Sequence, residues 1–217
     1  KQAHAAVEAG RGKDMQGWMD LPYNQDKIVA EIEKTAAEIR GEFEAFVVLG
    51  IGGSALGPAA VQAALNHLHY NELPAEKRNG PRLYIEDKID PERMAALMDV
   101  IDLKKTCFNV ITKSGGTAET MSQYLIVSDL LKREVGEGWQ EHIIATTDES
   151  RGNLIKLVKS EGFESFVIPN GVGGRFSEMC PVGLMAAAVC GIDIRAMLRG
   201  AAMMDEACKS SDVWKNP

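Results

Sequence analysis

Hydrophobic positions along this chain switch repeatedly between two periods. Ile28, Ile32, Ala36 and Ile39 recur at helical spacing, so residues 25–40 form an amphipathic helix. Ala45-Phe46-Val47-Val48-Leu49 follows as a continuous apolar run, typical of a strand covered on both faces of a parallel sheet. Glycines come next, then an Ala-rich helix from about Pro58 to His69, with Pro58 in the first turn, where its missing N–H costs nothing. The cycle repeats with a strand at Arg82-Leu83-Tyr84-Ile85 and a helix opened by Asp90-Pro91-Glu92, with Met94, Leu97 and Met98 on its apolar side. A strand at Phe108-Asn109-Val110-Ile111 leads to a long helix over 117–135. His142-Ile143-Ile144-Ala145 is the fourth strand, with a helix near 150–160 after it, and Phe166-Val167-Ile168 is the fifth. Residues 178–210 are helical and rich in Ala, Met and Leu. This alternation predicts an α/β fold, doubly wound, with a mainly five-stranded parallel sheet flanked by helices. The expected organisation is a lead-in over 1–24 and one domain over 25–217.

Composition narrows the function classes. The chain has 217 residues, 45% hydrophobic and 25% charged, enough for a sizeable core. A formal net charge of -7 argues against nucleic acid or an anionic membrane as a partner, and no apolar run approaches the roughly 20 residues that cross a bilayer. The cysteines at 107, 180, 190 and 208 form no C-x-x-C pair and have apolar neighbours, which reads as buried reduced thiols in a cytoplasmic protein. His67 and His69, two apart on the expected helix, point to different faces, so no metal site is expected. The start at Lys1-Gln2-Ala3-His4, without Met, and the stop at Trp214-Lys215-Asn216-Pro217 just after a helix read as truncation at both ends.

Chemistry is concentrated in three segments that each follow a strand, where ligands of open parallel sheets bind. Gly50-Ile51-Gly52-Gly53-Ser54-Ala55-Leu56-Gly57 lets main-chain N–H groups approach an anion at a helix start. It satisfies G-x-G-x-x-A, but the acid closing the next strand, Glu86, lies 31 positions beyond Ala55, against the roughly 20 of a ribose-binding carboxylate. Pro58 stands where a nucleotide triphosphate loop requires Lys. A plain tight turn remains an alternative. In Thr112-Lys113-Ser114-Gly115-Gly116-Thr117-Ala118-Glu119-Thr120, three hydroxyls and two glycines precede a helix. That is an oxyanion cradle suited to a phosphate monoester, with Lys113 adding charge; capping by Ser114 or Thr117 would account for one hydroxyl only. In Gly171-Val172-Gly173-Gly174-Arg175-Phe176-Ser177 a lone guanidinium sits beside glycines, suited to a developing oxyanion or to a surface ion pair.

Taken together, GIGGSALG, TKSGGTAET and GGRFS resemble the glucose-6-phosphate isomerase family, and more closely the sugar-isomerase (SIS) domain that forms the first half of its bacterial members. The resemblance runs from about Trp18 to Pro217. It implies interconversion of glucose 6-phosphate and fructose 6-phosphate through a cis-enediolate, with no metal or organic cofactor. It assigns the phosphate to Thr112, Lys113, Ser114 and Thr117, the sugar side of the pocket to Gly53 and Ser54, and enediolate stabilisation to Arg175. Glu119 matches a carboxylate beside the pocket, positional rather than the proton-transfer base. Gly116 stands where many members carry Thr. Family members are longer chains, and their catalytic Glu, His and Lys lie beyond the GGR motif and have no match here. The resemblance therefore implies a partner second half, a homodimeric parent and no activity of this chain alone. Two other readings are a non-catalytic sugar-phosphate sensor on the same fold, which needs no base, and a dinucleotide-dependent oxidoreductase, which rests on Gly50, Gly52 and Ala55 alone.

Overall fold

The structure, a computed structural model, describes residues 2–217. Five strands, β1 (Ala45–Leu49), β2 (Arg82–Glu86), β3 (Thr106–Thr112), β4 (Ile143–Thr147) and β5 (Glu164–Val167), form one sheet in the order β2-β1-β3-β4-β5. Every pairing is parallel, with Leu49 level with Val110 and Thr112 level with Thr147. β1, β3 and β4 are buried at every position, as their apolar runs predict for strands covered on both faces. β5 begins two residues earlier than its apolar run, and as an edge strand it exposes Glu164, Ser165 and Val167.

Side chains alternate between two cores. Phe46, Val48, Cys107, Ile111 and Ile144 meet helices α2 (Asp26–Glu42) and α7 (Pro181–Val189). Val47, Leu49, Phe108, Val110 and Ala145 meet α4 (Pro91–Met98), α5 (Ala118–Glu134) and α6 (Asn153–Glu161). Asp90 caps α4 by accepting from the Glu92 and Arg93 amides at 2.9 and 3.4 Å.

Three sequence expectations need correction. Helix α3 runs over Gly53–Leu65, not 58–69. Gly52, at φ +59°, turns the chain directly out of β1, so the helix starts at once. Pro58 therefore lies inside it, and its missing N–H leaves the Ser54 carbonyl without its usual helical donor. His67 and His69 follow the end of α3 in an irregular segment, where the His69 amide donates to His67 Nδ1 at 3.0 Å. The helical stretch after 178 is two helices, α7 and α8 (Ile194–Cys208). Gly191, at φ +77°, turns between them against Asn79, and Asp193 caps α8 through the Ala196 amide at 2.8 Å. Of the four cysteines, Cys107, Cys180 and Cys190 are buried and Cys208 is half-buried; all four are free thiols.

From residue 2 onward the lead-in forms helical structure of its own. Helix α1 (Gln2–Gly10) and a 3-10 turn at Asp14–Asp20 lie against α8, where Arg11 and the Tyr23 hydroxyl both reach Asp205 at 2.7 Å.

α7 carries much of the first core: all nine of its residues are buried, and Leu184 is completely enclosed. Leu184→Ala is expected to cost about 2–5 kcal/mol through lost burial and a residual cavity, read as a lowered denaturation midpoint with an unchanged m-value.

Candidate functional site

Strand order reverses between β1 and β3. From β1 the chain turns into α3, which packs toward α7, whereas from β3 it turns into α5 on the opposite face. Such a switch point opens a crevice at the carboxyl ends of the two strands, and two of the three chemical segments stand there.

Beyond β3, Thr112 Oγ1 lies 2.9 Å from Thr117 Oγ1 and 3.3 Å from Ser114 Oγ, and the latter two are 3.4 Å apart. One small cluster therefore holds all three predicted hydroxyls. Thr117 occupies the cap position of α5, yet its side chain caps no amide, so the helix start keeps N–H groups and dipole available to an anion. Thr120, in the same first turn, is fully buried with an unpartnered hydroxyl. The loop is braced from behind by α6: the Asn153 and Leu154 amides donate to the Gly115 carbonyl at 3.0 and 3.3 Å. Gly115, at φ +63°, and Gly152, at φ +95°, pass so closely that a Cβ on Gly152 would overlap the Ser114 carbonyl.

Lys113 turns its ammonium away from the hydroxyls. Nζ donates to the main-chain carbonyls of Val172 at 2.8 Å and Pro169 at 3.2 Å, in the segment after β5. That segment must travel far, because β5 is three strand spacings from β1, about 14 Å. It crosses above the carboxyl ends to reach the first segment, where a Cβ on Gly53 would overlap the Gly174 carbonyl. Ser177, buried, fixes the 3-10 turn Gly174–Phe176 by donating to the Gly174 carbonyl at 2.6 Å.

The three segments thus meet through main-chain contacts. Gly53 and Ser54 are half-exposed and stand beside the Arg175 segment; Ser114 and Arg175 are exposed, and Glu119 is half-buried in the first turn of α5. The Arg175 guanidinium makes no hydrogen bond or ion pair among the described residues. The crevice is open to solvent and polar. An open surface pocket of about 430 Å³ lies elsewhere, against the β2 edge beside Tyr70 and Leu83. Among the described residues no group of three or more His, Cys, Asp or Glu is arranged to hold a metal ion, and no helix is long and apolar enough to cross a membrane.

One residue near the site escaped the sequence reading. Glu178 directly follows GGRFS, and both its carboxyl oxygens are buried without a partner. Gly57 on α3 and Gly183 on α7 make its niche, since a Cβ on either would overlap the carboxyl. Burial pushes its pKa from 4.5 up to about 7. The available signal was a lone acid between Ser177 and an apolar run, with glycines where bulkier residues would fill the niche.

Comparisons with known proteins identify the family of the chain. The family model described as Phosphoglucose isomerase matches residues 27–217. A glucose-6-phosphate isomerase from Carboxydothermus hydrogenoformans is 58% identical over 93% of this chain and 43% of its own length. Among solved structures, a hypothetical protein from Thermus thermophilus superposes with a TM-score of 0.87 at 37% identity, over 99% of this chain and 49% of that one. A glucose-6-phosphate isomerase from Chlamydia trachomatis gives a TM-score of 0.72 at 25% identity, over 95% and 38%. The chain spans about half the length of the curated relatives it matches.

Glu178 generates a pH prediction. Between about pH 4.5 and 7 the folded chain holds a proton that the unfolded chain has released, so stability falls as pH rises through that window and levels off above it. The loss should reach about 3 kcal/mol. Denaturant unfolding at pH 5 and pH 8 is expected to show this drop in the parent chain and a much smaller one in Glu178→Gln.

Proposed function

The chain belongs to the phosphoglucose isomerase family, and we propose that it works as the first, sugar-phosphate-binding half of a glucose-6-phosphate isomerase. The observation that carries the reading is the convergence of three hydroxyls within 3.4 Å of one another with the uncapped start of α5. A phosphate monoester needs several short donors from one side. Thr112, Ser114 and Thr117 supply O–H groups, the first turn of α5 supplies N–H groups, and Lys113 contributes its main chain, its ammonium being held by the Pro169 and Val172 carbonyls. Gly53 and Ser54 line the sugar side, and the absence of a side chain on Gly53 is what lets the Gly174–Arg175 main chain pack beside them. Glu119 orients the substrate from the first turn of α5.

Arg175 is the group suited to the chemistry. In an aldose–ketose isomerisation a proton leaves C2 and returns at C1 through a cis-enediolate, and negative charge grows on the oxygens of these carbons. An exposed guanidinium with no competing carboxylate stabilises that charge without prior reorganisation. No residue of this chain stands as the proton-transfer base. In this reading the base and the ring-opening groups come from the second half, and the chain alone is inactive. Without the base, C–H proton abstraction has no agent, and general base catalysis is itself worth about 10²–10⁴-fold. The parent is then a cytoplasmic homodimer serving glycolysis and gluconeogenesis, with no metal or organic cofactor.

In the full-length enzyme Arg175→Ala should lower kcat by about 10²–10³-fold while KM moves only a few-fold, because the enediolate charge exists in the transition state and not in the bound substrate. A rise in KM at unchanged kcat would contradict the assignment.

A further inference from the structure

Arg175 is carried by a glycine-rich segment whose internal side-chain restraint is the hydrogen bond from Ser177 to the Gly174 carbonyl. Three of the four residues before it are glycines, with Gly171 at φ +76°, and the guanidinium has no partner among the described residues. A charge-stabilising group works only when held within about 0.5 Å and 10–20° of its productive geometry, so contacts from outside the segment must add to that bond. Gly53 and Lys113 hold its inner side. The outer side is held by the 3-10 turn of the lead-in.

The Gly17 amide donates to the Gly171 carbonyl at 3.1 Å. The approach is close in both directions: a Cβ on Gly17 would lie 3.0 Å from the Asn170 carbonyl, and one on Gly171 would crowd the Asp14 carbonyl. Met15 reaches Gly173, its Cε 3.3 Å from where a Cβ would stand. Trp18 stacks on Phe176, with ring centroids 5.0 Å apart and planes 16° from parallel. Phe176 is the residue next to Arg175 and remains 51% exposed. The turn is itself anchored, since Arg11 joins the Met19 carbonyl at 3.3 Å to Asp205 on α8 at 2.7 Å.

We propose that residues 14–18 are a clamp that aims Arg175, and that Trp18 is a positioning residue for the isomerisation, acting through its stack on Phe176. The proposal rests on the reading of Arg175 as the enediolate-stabilising group. It moves the lead-in from packing alone to part of the site's machinery. Trp18 touches no reacting atom, so its removal should leave ground-state binding of the phosphate intact and weaken the interaction that Arg175 makes in the transition state.

The test is a double-mutant cycle in the full-length enzyme with Trp18→Ala, Phe176→Ala and the pair, alongside Trp18→Phe. Each single alanine variant should lower kcat about 10–100-fold, the loss that misplacement by about an ångström brings, with KM changing less than about threefold. The double variant should be no worse than the poorer single one, because both remove the same stack. Trp18→Phe keeps an aromatic face and should recover kcat to within about threefold of the parent. Unchanged kcat in Trp18→Ala with only a lowered melting temperature, losses that multiply in the double variant, or failure of Trp18→Phe to recover kcat would each overturn the proposal. Should Trp18→Ala not fold, Phe176→Ala decides, since its half-exposed side chain can be removed without opening the core: unchanged kcat there overturns the clamp. A full-length parent with no isomerase activity would instead sink the functional reading, and the clamp with it.

Discussion

β1 and β3 lie side by side, and the chain leaves their carboxyl ends in opposite directions, into α3 on one face and α5 on the other. No helix can cover the gap between those departures, and the rest of the site follows from it. The two helix starts face the same crevice, so main-chain N–H groups and helix dipoles gather where no side chain need supply charge. An anion is favoured there even though the chain as a whole carries -7.

Filling that crevice with positioned groups requires backbones to pass closer than side chains allow. Gly53 against Gly174, and Gly115 against Gly152, are approaches that a single Cβ would block. They bring the segment after β5 across the sheet top and lock the hydroxyl loop from behind. Lys113 completes the tie, committing its ammonium to the carbonyls of Pro169 and Val172. The hydroxyl loop and the Arg175 segment are therefore mechanically joined, and the lead-in packs against the assembly from outside. Close packing also leaves Glu178 buried without a partner, in a niche shaped by Gly57 and Gly183.

Much of this was legible in the chain because local chemistry and tertiary context agree. Phe46-Val47-Val48 is β-branched and aromatic, and it is buried on both faces; residues 26–42 are periodic, and Val29, Ile32, Ala36 and Ile39 face the core. The three hydroxyls were readable as a set because their spacing places them around one loop at a helix start. Features set by distant contacts were not readable. Pro58 looked like a helix opener, but the turn at Gly52 starts α3 earlier. The break at Gly191 was hidden in a helical composition, and its φ is set by the turn against Asn79. The Lys113 ammonium has its partners 56 and 59 residues away, and the Trp18–Phe176 stack spans still more of the chain.

The central claim is that this half alone presents a preformed cradle for a phosphorylated sugar. The most direct measurement is a calorimetric titration of the chain with 6-phosphogluconate, an open-chain phosphorylated acid resembling the enediolate, with NAD as the control ligand. Saturable binding of the sugar acid at one site, and none of NAD, is the predicted result. Absence of sugar-acid binding, or binding of NAD in its place, would contradict it.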